Sequence, residues 1–402
     1  MVEDGRKGQG RSSIELFAGA GGLGIGLAQA GFEPRAVVEF DQWCCDTLRD
    51  NHVLLESGHN DANGWNVLEG DVREVDFRIH QDRLDLVSGG PPCQPFSLGG
   101  QHRAYDDARD MFPEAVRAVR EIRPKAFVFE NVKGLTRAAF SDYFSFVQLQ
   151  LEHPELVSGK DETWRSHLAR LHQHHTSRRR DGLHYNVVTK LLNAADHGVP
   201  QRRERVVFVG FRDDVDACWS FTEGNFSQIA LVWDQVFGDY WERHRVAKAH
   251  RKLEVRASAI AKRLSKDEKP EEAPWRTARD AISDLPDPRH SIKSANIADH
   301  RFQPGARSYK GHTGSYLDEP AKTLKAGVHG VPGGENMLRR ADGFVRYFTV
   351  RESARLQTFP DNYKFHGAWS ECMRQLGNAV PVELARVVGE SVAKRLDAAE
   401  AA

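Results

Sequence analysis

The sequence is poor in cysteine. Its 402 residues contain five, Cys44, Cys45, Cys93, Cys218 and Cys372, and no two of them form a CxxC pair. Thiols so few and scattered do not build a disulfide framework, and without CxxC spacing a structural zinc site is not indicated. We interpret Cys44 and Cys45 as small hydrophobic side chains of a helix. Cys93 requires a separate explanation.

The sequence also lacks long apolar runs and a large net charge. No run approaches the ~20 residues that span a bilayer, and the polar N-terminus lacks a signal-peptide core, which predicts a cytoplasmic protein without membrane contact. The net charge is −1, so any attraction to nucleic acid must be local. The basic runs 170–180 and 243–266 could supply it, although each alone is typical of a solvated face. His172, His174 and His175 are interpreted as exposed loop, and no metal ligand is assigned.

Strand and helix patterns alternate through the first 132 residues, which predicts a doubly wound α/β sheet. Strands are predicted in SSIELF, EPRAVVEF, LDLVSGG and KAFVFENV, and helices in IGLAQAG, DQWCCDTLRDNH and FPEAVRAVREIRP. Residues 139–184 are a polar insertion of loop or short helices, and RVVFVGF resumes the strand pattern. We predict a catalytic and cofactor-binding domain at 1–211 plus 346–402, and a smaller domain of irregular and β structure at 212–345. The tail VPVELARVVGESVAKRLDA predicts a helix that packs beside the N-terminal glycine loop.

A glycine-rich loop links the first predicted strand to the first predicted helix. Gly19, Gly21 and Gly24 have GxGxxG spacing, and Glu39 ends the next strand about 20 residues later. This context is typical of a dinucleotide fingerprint, with a tight turn, close backbone approach and a carboxylate for a ribose hydroxyl. The motif alone fits a nicotinamide enzyme and an S-adenosylmethionine enzyme equally, and a glycine turn without ligand also remains open.

Cys93 follows a buried strand, two glycines and two prolines. Prolines fix φ and remove backbone donors, so they hold the next side chain in place. A thiol is intrinsically nucleophilic, and the carboxyl ends of strands are where open α/β sheets build their sites. Glu130 ends another predicted strand, and Gln201, Arg203 and Arg205 alternate into a third, which points them to one face. Together these groups predict a nucleophilic site.

The order of the blocks FAGAGG, GGPPCQPFS, ENV, QRRER, RESARLQTFPDNY and GNAVP resembles DNA (cytosine-5) methyltransferases of bacterial restriction–modification systems. The match covers most of the chain outside 139–184 and 212–345. Amino-group methyltransferases carry an aromatic residue after the prolines, where this chain has Cys93. The resemblance implies a Rossmann-like S-adenosylmethionine-dependent domain and a target-recognition domain at 212–345. The implied reaction is sequence-specific methylation of C5 of a flipped-out cytosine in double-stranded DNA, through a covalent Cys93–C6 adduct.

The resemblance also implies residue roles. Cys93 attacks C6, Glu130 contacts N3 and the exocyclic amine, and Arg203 contacts O2, with Gln201 and Arg205 supporting that pair. The implied cofactor residues are Phe17, Gly19, Ala20, Gly21, Gly22, Glu39, Phe40, Asp71, Val72, Pro92, Met111, Asn378 and Val380. The implied DNA contacts are Ser97, Thr323 and Leu324. Glu15 stands where the family commonly has aspartate, and Met111 where it usually has leucine.

The expected cofactor is S-adenosylmethionine, with S-adenosylhomocysteine as its product. The expected partners are double-stranded DNA and a cognate restriction endonuclease that acts on the same site without a stable complex, and the protein is expected to be a monomer. Three alternatives are weighed: a tRNA methyltransferase that shares these motifs, a catalytically silent DNA-binding regulator, and a nicotinamide oxidoreductase. The long basic variable region favours a duplex reader, Cys93, Glu130 and Arg203 are intact, and nicotinamide chemistry leaves PPCQPFS unexplained.

Overall fold

The computed structural model describes residues 10–51, 65–92, 110–177, 182–215, 218–289, 296–310, 313–326 and 336–401. Cys93, Ser97 and the arginines at 178–180 lie outside these ranges. Among the helices in these ranges, none combines the length and apolar character that a membrane crossing requires. Cys44 and Cys45 are buried thiols on a helix, as predicted, and burial raises the pKa of Cys45 to about 12.

Fourteen strands and twelve helices lie within the described residues. The strands are β1 Arg11–Leu16, β2 Phe32–Glu39, β3 Val67–Glu69, β4 Leu86–Gly89, β5 Ala126–Val132, β6 Tyr185–Asn193, β7 Gln201–Arg202, β8 Glu204–Arg212, β9 Phe226–Ser227, β10 Ala273–Pro274, β11 Ser315–Tyr316, β12 Ala321–Lys322, β13 Met337–Arg339 and β14 Val345–Tyr347. The helices are α1 Gly22–Gln29, α2 Gln42–Asp50, α3 Phe112–Ile122, α4 Ser141–Glu152, α5 Trp164–Thr176, α6 Gln228–Val236, α7 Tyr240–Arg243, α8 Val255–Ala261, α9 Ala278–Ile282, α10 Val350–Leu356, α11 Trp369–Asn378 and α12 Val382–Glu400.

Seven strands form the main sheet in the order β3-β2-β1-β4-β5-β8-β6. The first five strands pair in parallel, and β8 runs antiparallel to β5. The strand order reverses between β1 and β4, and doubly wound folds bind ligands at the carboxyl ends of the strands at such a point. The predicted α/β sheet is therefore confirmed.

The contacts along the chain define two compact units. The first comprises Met1–Leu192, Arg205–Thr222 and Ala385–Ala402, and the second comprises Asn193–Glu204 and Glu223–Leu384. Residues 346–384 thus belong to the second unit, whereas the sequence analysis assigned them to the catalytic domain. A division by contacts does not decide which residues act in catalysis, so the functional division stays a prediction.

Apolar spacing explains how the first unit packs its helices on the sheet. In α3 the buried residues Phe112, Ala115, Val116, Val119 and Ile122 recur at helical spacing and join the core formed by β1, β4 and β5. The tail helix α12 packs on α1, where a Cβ at Gly389 would lie 2.8 Å from the Cβ of Ala30. The tail therefore lies beside the end of α1, and its predicted position beside the glycine loop itself stays a prediction.

The insertion is helical where the sequence analysis placed its histidines in a loop. His172, His174 and His175 lie on α5, so that interpretation was wrong. The dense run of histidine and arginine obscured an apolar stripe on the same helix, in which Leu171 is fully buried and Trp164 packs against the core.

The second unit contains short strands and, in addition, helices α6 to α11. Its residues pack in small clusters, one around Ile282, Leu324 and Phe348 and one around Tyr240 and Trp275. Several of these helices have seven residues or fewer, which is too short for a helical period to stand out in the sequence.

Candidate active site

The glycine loop forms a tight turn at the end of β1. Gly19 has φ +54° and Gly21 has φ +77°, a region that side chains with a Cβ rarely adopt. Among the residues that the structure describes, none beyond its chain neighbours has an atom within 4 Å of a Cβ placed at Gly19, so this backbone faces open space between them. The turn therefore leaves room for a ligand to approach the main chain closely.

Glu39 is held rigidly at the end of the neighbouring strand β2. Its Oε2 accepts a hydrogen bond from the backbone N–H of Gly19 at 2.6 Å, and its Oε1 accepts from Phe40 and Asp41 at 2.9 and 2.8 Å. Burial raises the pKa of Glu39, while these three hydrogen bonds act in the opposite direction. The carboxylate is thus fixed beside the glycine turn, as the fingerprint requires.

The other expected cofactor residues of this unit differ in exposure. Phe40 is 76% exposed, which is unusual for a large aromatic side chain and leaves its face free for stacking. Phe17 has φ +56°, a conformation that costs energy outside glycine and tends to occur at functional sites. Val72 is buried, and Asp71 pairs with Arg73, which lowers the pKa of Asp71 to about 2. An open turn, a fixed carboxylate and an exposed aromatic fit an adenosyl group.

The segment leading to Cys93 is anchored from two sides. The side chain of Asn131 donates a hydrogen bond to the carbonyl of Pro91 at 2.9 Å, and the carbonyl of Pro92 accepts from the backbone N–H of Met111 at 3.0 Å. A Cβ at Gly90 would lie 3.4 Å from Oε2 of Glu130. The backbone at 90–92, which precedes Cys93 in the sequence, is therefore held beside Glu130.

Glu130 and Arg205 form a buried ion pair across β5 and β8. In the antiparallel register Glu130 is opposite Val207 and Val132 is opposite Arg205, so the two charged side chains are diagonal neighbours on one face. Burial lowers the pKa of Arg205, and the charge of Glu130 opposes that effect. The supporting role of Arg205 in catalysis stays a prediction, and this ion pair is the contact through which it would act.

Gln201 and Arg203 converge on the main chain of Leu324 in the second unit. Oε1 of Gln201 accepts a hydrogen bond from the backbone N–H of Leu324 at 3.0 Å. Arg203 donates to the carbonyls of Leu324 and Gly377 at 3.0 and 2.8 Å. Both side chains are completely buried, so within this unit they fix the segment at 323–324 and the end of α11.

The remaining expected residues also lie in the second unit. Leu324 is buried in the core, and the hydroxyl of Thr323 donates to the carbonyl of Arg202 at 2.6 Å, so the DNA contact of these two residues stays a prediction. Asn378 is exposed at the end of α11, and Val380 is buried.

The contacts made by Glu15, Trp65 and Asn131 were not predicted from the sequence. Glu15 is fully buried, and a Cβ at Gly24 would lie 2.1 Å from its Oε2 and 2.6 Å from the ring of Trp65. Gly24 is therefore required by close packing. Burial raises the pKa of Glu15 to about 8, which keeps it mostly protonated at neutral pH. Asn131 was visible in the ENV block, but nothing in the sequence indicated Trp65.

The fold and these groups define a Rossmann-like methyltransferase. The pattern of the C-5 cytosine-specific DNA methylase family matches residues 12–153 and 171–394, so the chain belongs to this family and is a DNA cytosine-5 methyltransferase. It is 31% identical over 392 residues to the type II methyltransferase M.PspPI of Psychrobacter sp. (strain TA137), covering 96% of this chain and 80% of the relative. It is 32% identical to M.NgoMIV of Neisseria gonorrhoeae, covering 96% and 98%. The structure of S. pombe Dnmt2 methyltransferase has the same fold, with a TM-score of 0.54, 16% identity and coverage of 96% and 98%.

Proposed function

We propose that this enzyme transfers a methyl group from S-adenosylmethionine to C5 of a flipped-out cytosine within one short sequence of double-stranded DNA. The observation that carries the proposal is the buried Glu130–Arg205 pair beside the anchored segment that ends at Cys93. The carboxyl group of Glu130 can bind the polar edge of a pyrimidine, and the thiol of Cys93 would attack the pyrimidine ring.

The cofactor site would be built on β1 and β2. The open turn at Gly19, Ala20, Gly21 and Gly22 would admit the adenosyl group, Glu39 would bind its ribose, and Phe40 would stack on its adenine. Phe17, Asp71, Val72, Pro92 and Met111 would complete the pocket, with Asn378 and Val380 of the GNAVP block closing it. When bound, S-adenosylmethionine supplies an electrophilic methyl group.

The chain's own groups would make the cytosine reactive. The thiolate of Cys93 would add to C6, which breaks aromaticity and places electron density on C5. Glu130 would bind N3 and the exocyclic amine. The predicted contact of Arg203 with O2, where charge develops, would require its guanidinium to exchange the carbonyls of Leu324 and Gly377 for the base. After C5 is methylated, loss of its proton would expel the thiolate and restore the ring. Arg205 would hold Glu130, and Gln201 would hold the segment that Arg203 binds.

C6 of a cytosine lies within the base stack of a duplex, so the base must be flipped out before it can react. Flipping it out costs a few kcal/mol because stacking and pairing are lost. We propose that the region 212–345 reads the target sequence, and that Ser97, Thr323 and Leu324 help to place the DNA. The relatives named type II methyltransferases favour a role in a restriction–modification system of the bacterial cytoplasm, where a cognate endonuclease would cut the unmethylated site.

The test is bisulfite sequencing of plasmid DNA from cells that express this chain, with Cys93→Ala as the control. We expect methylated cytosines confined to one short motif, and none with Cys93→Ala, which should still bind DNA. Methylation by Cys93→Ala would remove the thiol from the mechanism. No methylation by the wild-type chain would contradict the DNA substrate, and the same assay on total tRNA would then test the RNA alternative.

The cofactor is tested separately by thermal unfolding. S-adenosylhomocysteine should raise the melting temperature because it binds only the folded chain, whereas NAD should leave it unchanged. The opposite result would favour the nicotinamide alternative.

A further inference from the structure

Several histidines gather in the insertion, away from the groups assigned to methyl transfer. Glu152 and His153 end α4, His174 and His175 lie in the last turn of α5, and His184 precedes β6. We call these five residues the histidine cluster. Its centre is His153, which is only 6% exposed. The centroid of its ring lies 4.8 Å from the ring centroids of His174 and His184 and 5.6 Å from that of His175.

Three ligand-type atoms in this cluster converge. Nε2 of His153 lies 3.3 Å from Nδ1 of His175, and Nδ1 of His175 lies 3.1 Å from Oε2 of Glu152. These three residues each offer one such atom, and the atoms all lie within 4.8 Å of one another. Two ligands of a tetrahedral zinc ion with bonds of ~2.0–2.1 Å are separated by ~3.3 Å, so these two distances suit one shared ion.

Neighbouring groups orient two of these ligands. Nε2 of Gln148 donates a hydrogen bond to Oε1 of Glu152 at 3.0 Å, which leaves Oε2 directed at His175. The other ring nitrogen of His153, Nδ1, lies 3.3 Å from Nδ1 of His184. If His153 carries its proton on Nδ1 and donates it to His184, the lone pair of Nε2 faces Nδ1 of His175, and a metal ion would take the place of the proton shared between these two atoms. Metal-binding histidines are commonly fixed in this way.

A buried carboxylate oxygen favours a cation at this point. Oε2 of Glu152 is buried, and no described residue donates a hydrogen bond to it. Removing a carboxylate oxygen from water without a partner costs free energy, and a bound cation would compensate for that cost.

We propose that Glu152, His153 and His175 bind a divalent first-row transition-metal ion, with Zn²⁺ as the probe, and that this ion ties the end of α4 to the end of α5. Two imidazoles and one carboxylate suit Zn²⁺ and its neighbours, whereas Mg²⁺ and Ca²⁺ prefer oxygen ligands alone. The site is structural, because it joins residues 152–153 to residue 175 within the insertion and uses none of the groups assigned to methyl transfer.

The experiment measures metal retained by the full-length chain, purified without a histidine tag and stripped with a chelator. After addition of Zn²⁺ and desalting, we expect one ion per chain, a raised melting temperature and no retention of Mg²⁺. With Co²⁺ as the probe, the visible absorption bands of a tetrahedral site should appear. His175→Gln should weaken Zn²⁺ binding by at least about tenfold, the lower range for losing even a supporting group. Because the side chain of His175 is 49% exposed, this variant should still fold.

His172→Gln is the matched control. It changes the same residue type on the same helix at an exposed position, and it should retain Zn²⁺ as the wild-type chain does. Glu152→Gln, which preserves shape and removes the charge, should weaken binding like His175→Gln. The proposal is overturned if the wild-type chain retains no Zn²⁺, or if His172→Gln lowers retention as much as His175→Gln, which would indicate binding by surface histidines.

Discussion

Glu15 shows how burial alters a single group. Its folded-state pKa of about 8 lies above the ordinary value of 4.5, so folding keeps a proton that the unfolded chain releases. The stability that this group contributes is therefore fully present below about pH 4.5 and is lost as the pH rises through about 8. We predict that the free energy of unfolding of the wild-type chain falls relative to that of Glu15→Gln by up to about 1.4 kcal/mol per pH unit. Urea unfolding from about pH 5 to about pH 8 measures this, and parallel profiles would contradict it.

Gly19 permits a second residue-scale prediction, about the cofactor. Alanine fits the space at Gly19 but not its φ of +54°, so Gly19→Ala should destabilise the chain by about 1 kcal/mol. It should also weaken binding of S-adenosylhomocysteine at least about tenfold, because the new methyl group projects into the open space beside Glu39. Isothermal titration measures the affinity.

Gly31→Ala provides the matched control for Gly19→Ala. Gly31 has φ +93° and the same open surroundings, but it follows the end of α1. It should lose comparable stability and keep the affinity for S-adenosylhomocysteine. Equal losses of affinity in both variants would mean that backbone strain, rather than contact with the cofactor, is responsible.

At the scale of elements, the antiparallel pairing of β5 and β8 creates the Glu130–Arg205 pair. Removing one member of a buried pair leaves the other charge in an apolar environment. We therefore predict that Arg205→Ala lowers the free energy of unfolding by about 3–5 kcal/mol. Urea denaturation measures this change.

The double variant Glu130→Gln with Arg205→Met tests the reason for that loss. It removes both charges and retains most of the volume, so its stability should return close to that of the wild-type chain, while its methylation activity should be lost. If the double variant is as unstable as Arg205→Ala, packing rather than charge controls the stability.

The helices and strands also show which sequence patterns predict secondary structure correctly. Helix α3 was predictable because five buried residues follow one helical stripe, and β4 and β5 because they are short apolar runs. Helix α5 was missed because its buried stripe is narrow and its polar face is crowded with histidine and arginine. The structure of the second unit was predicted least accurately, because its helices and strands are too short to show a periodic pattern of apolar residues.

At the scale of the molecule, a net charge of −1 means that attraction to DNA depends on where positive side chains stand. Within 243–266, Arg243 is engaged by Asp234 at 2.7 Å and also pairs with Asp239, whereas Lys262 and Arg263 are exposed beyond the end of α8. We predict that changing Lys262 and Arg263 to Gln lowers the salt dependence of DNA affinity by up to about 0.9 per lost phosphate contact.

The measurement is a plot of log affinity against log salt concentration, with Arg243→Gln as the control. Arg243 is already neutralised within its unit, so its loss should change the slope little. An unchanged slope for the Lys262 and Arg263 double variant would show that this run does not contact phosphate. The basic run at 170–180 would then be the next to examine, by neutralising Arg178, Arg179 and Arg180.

The sequence by itself determined the α/β class, the glycine turn and the family, because these depend on local spacing and on residue chemistry, and its assignment of the reactive groups stays a prediction. Only the tertiary structure decided that Asn131 anchors the chain before Cys93, that Gly24 makes room for Glu15 and Trp65, and that Glu152 meets His175. Such contacts join residues far apart in the chain. Their distances follow from how strands and helices pack, which no local pattern encodes.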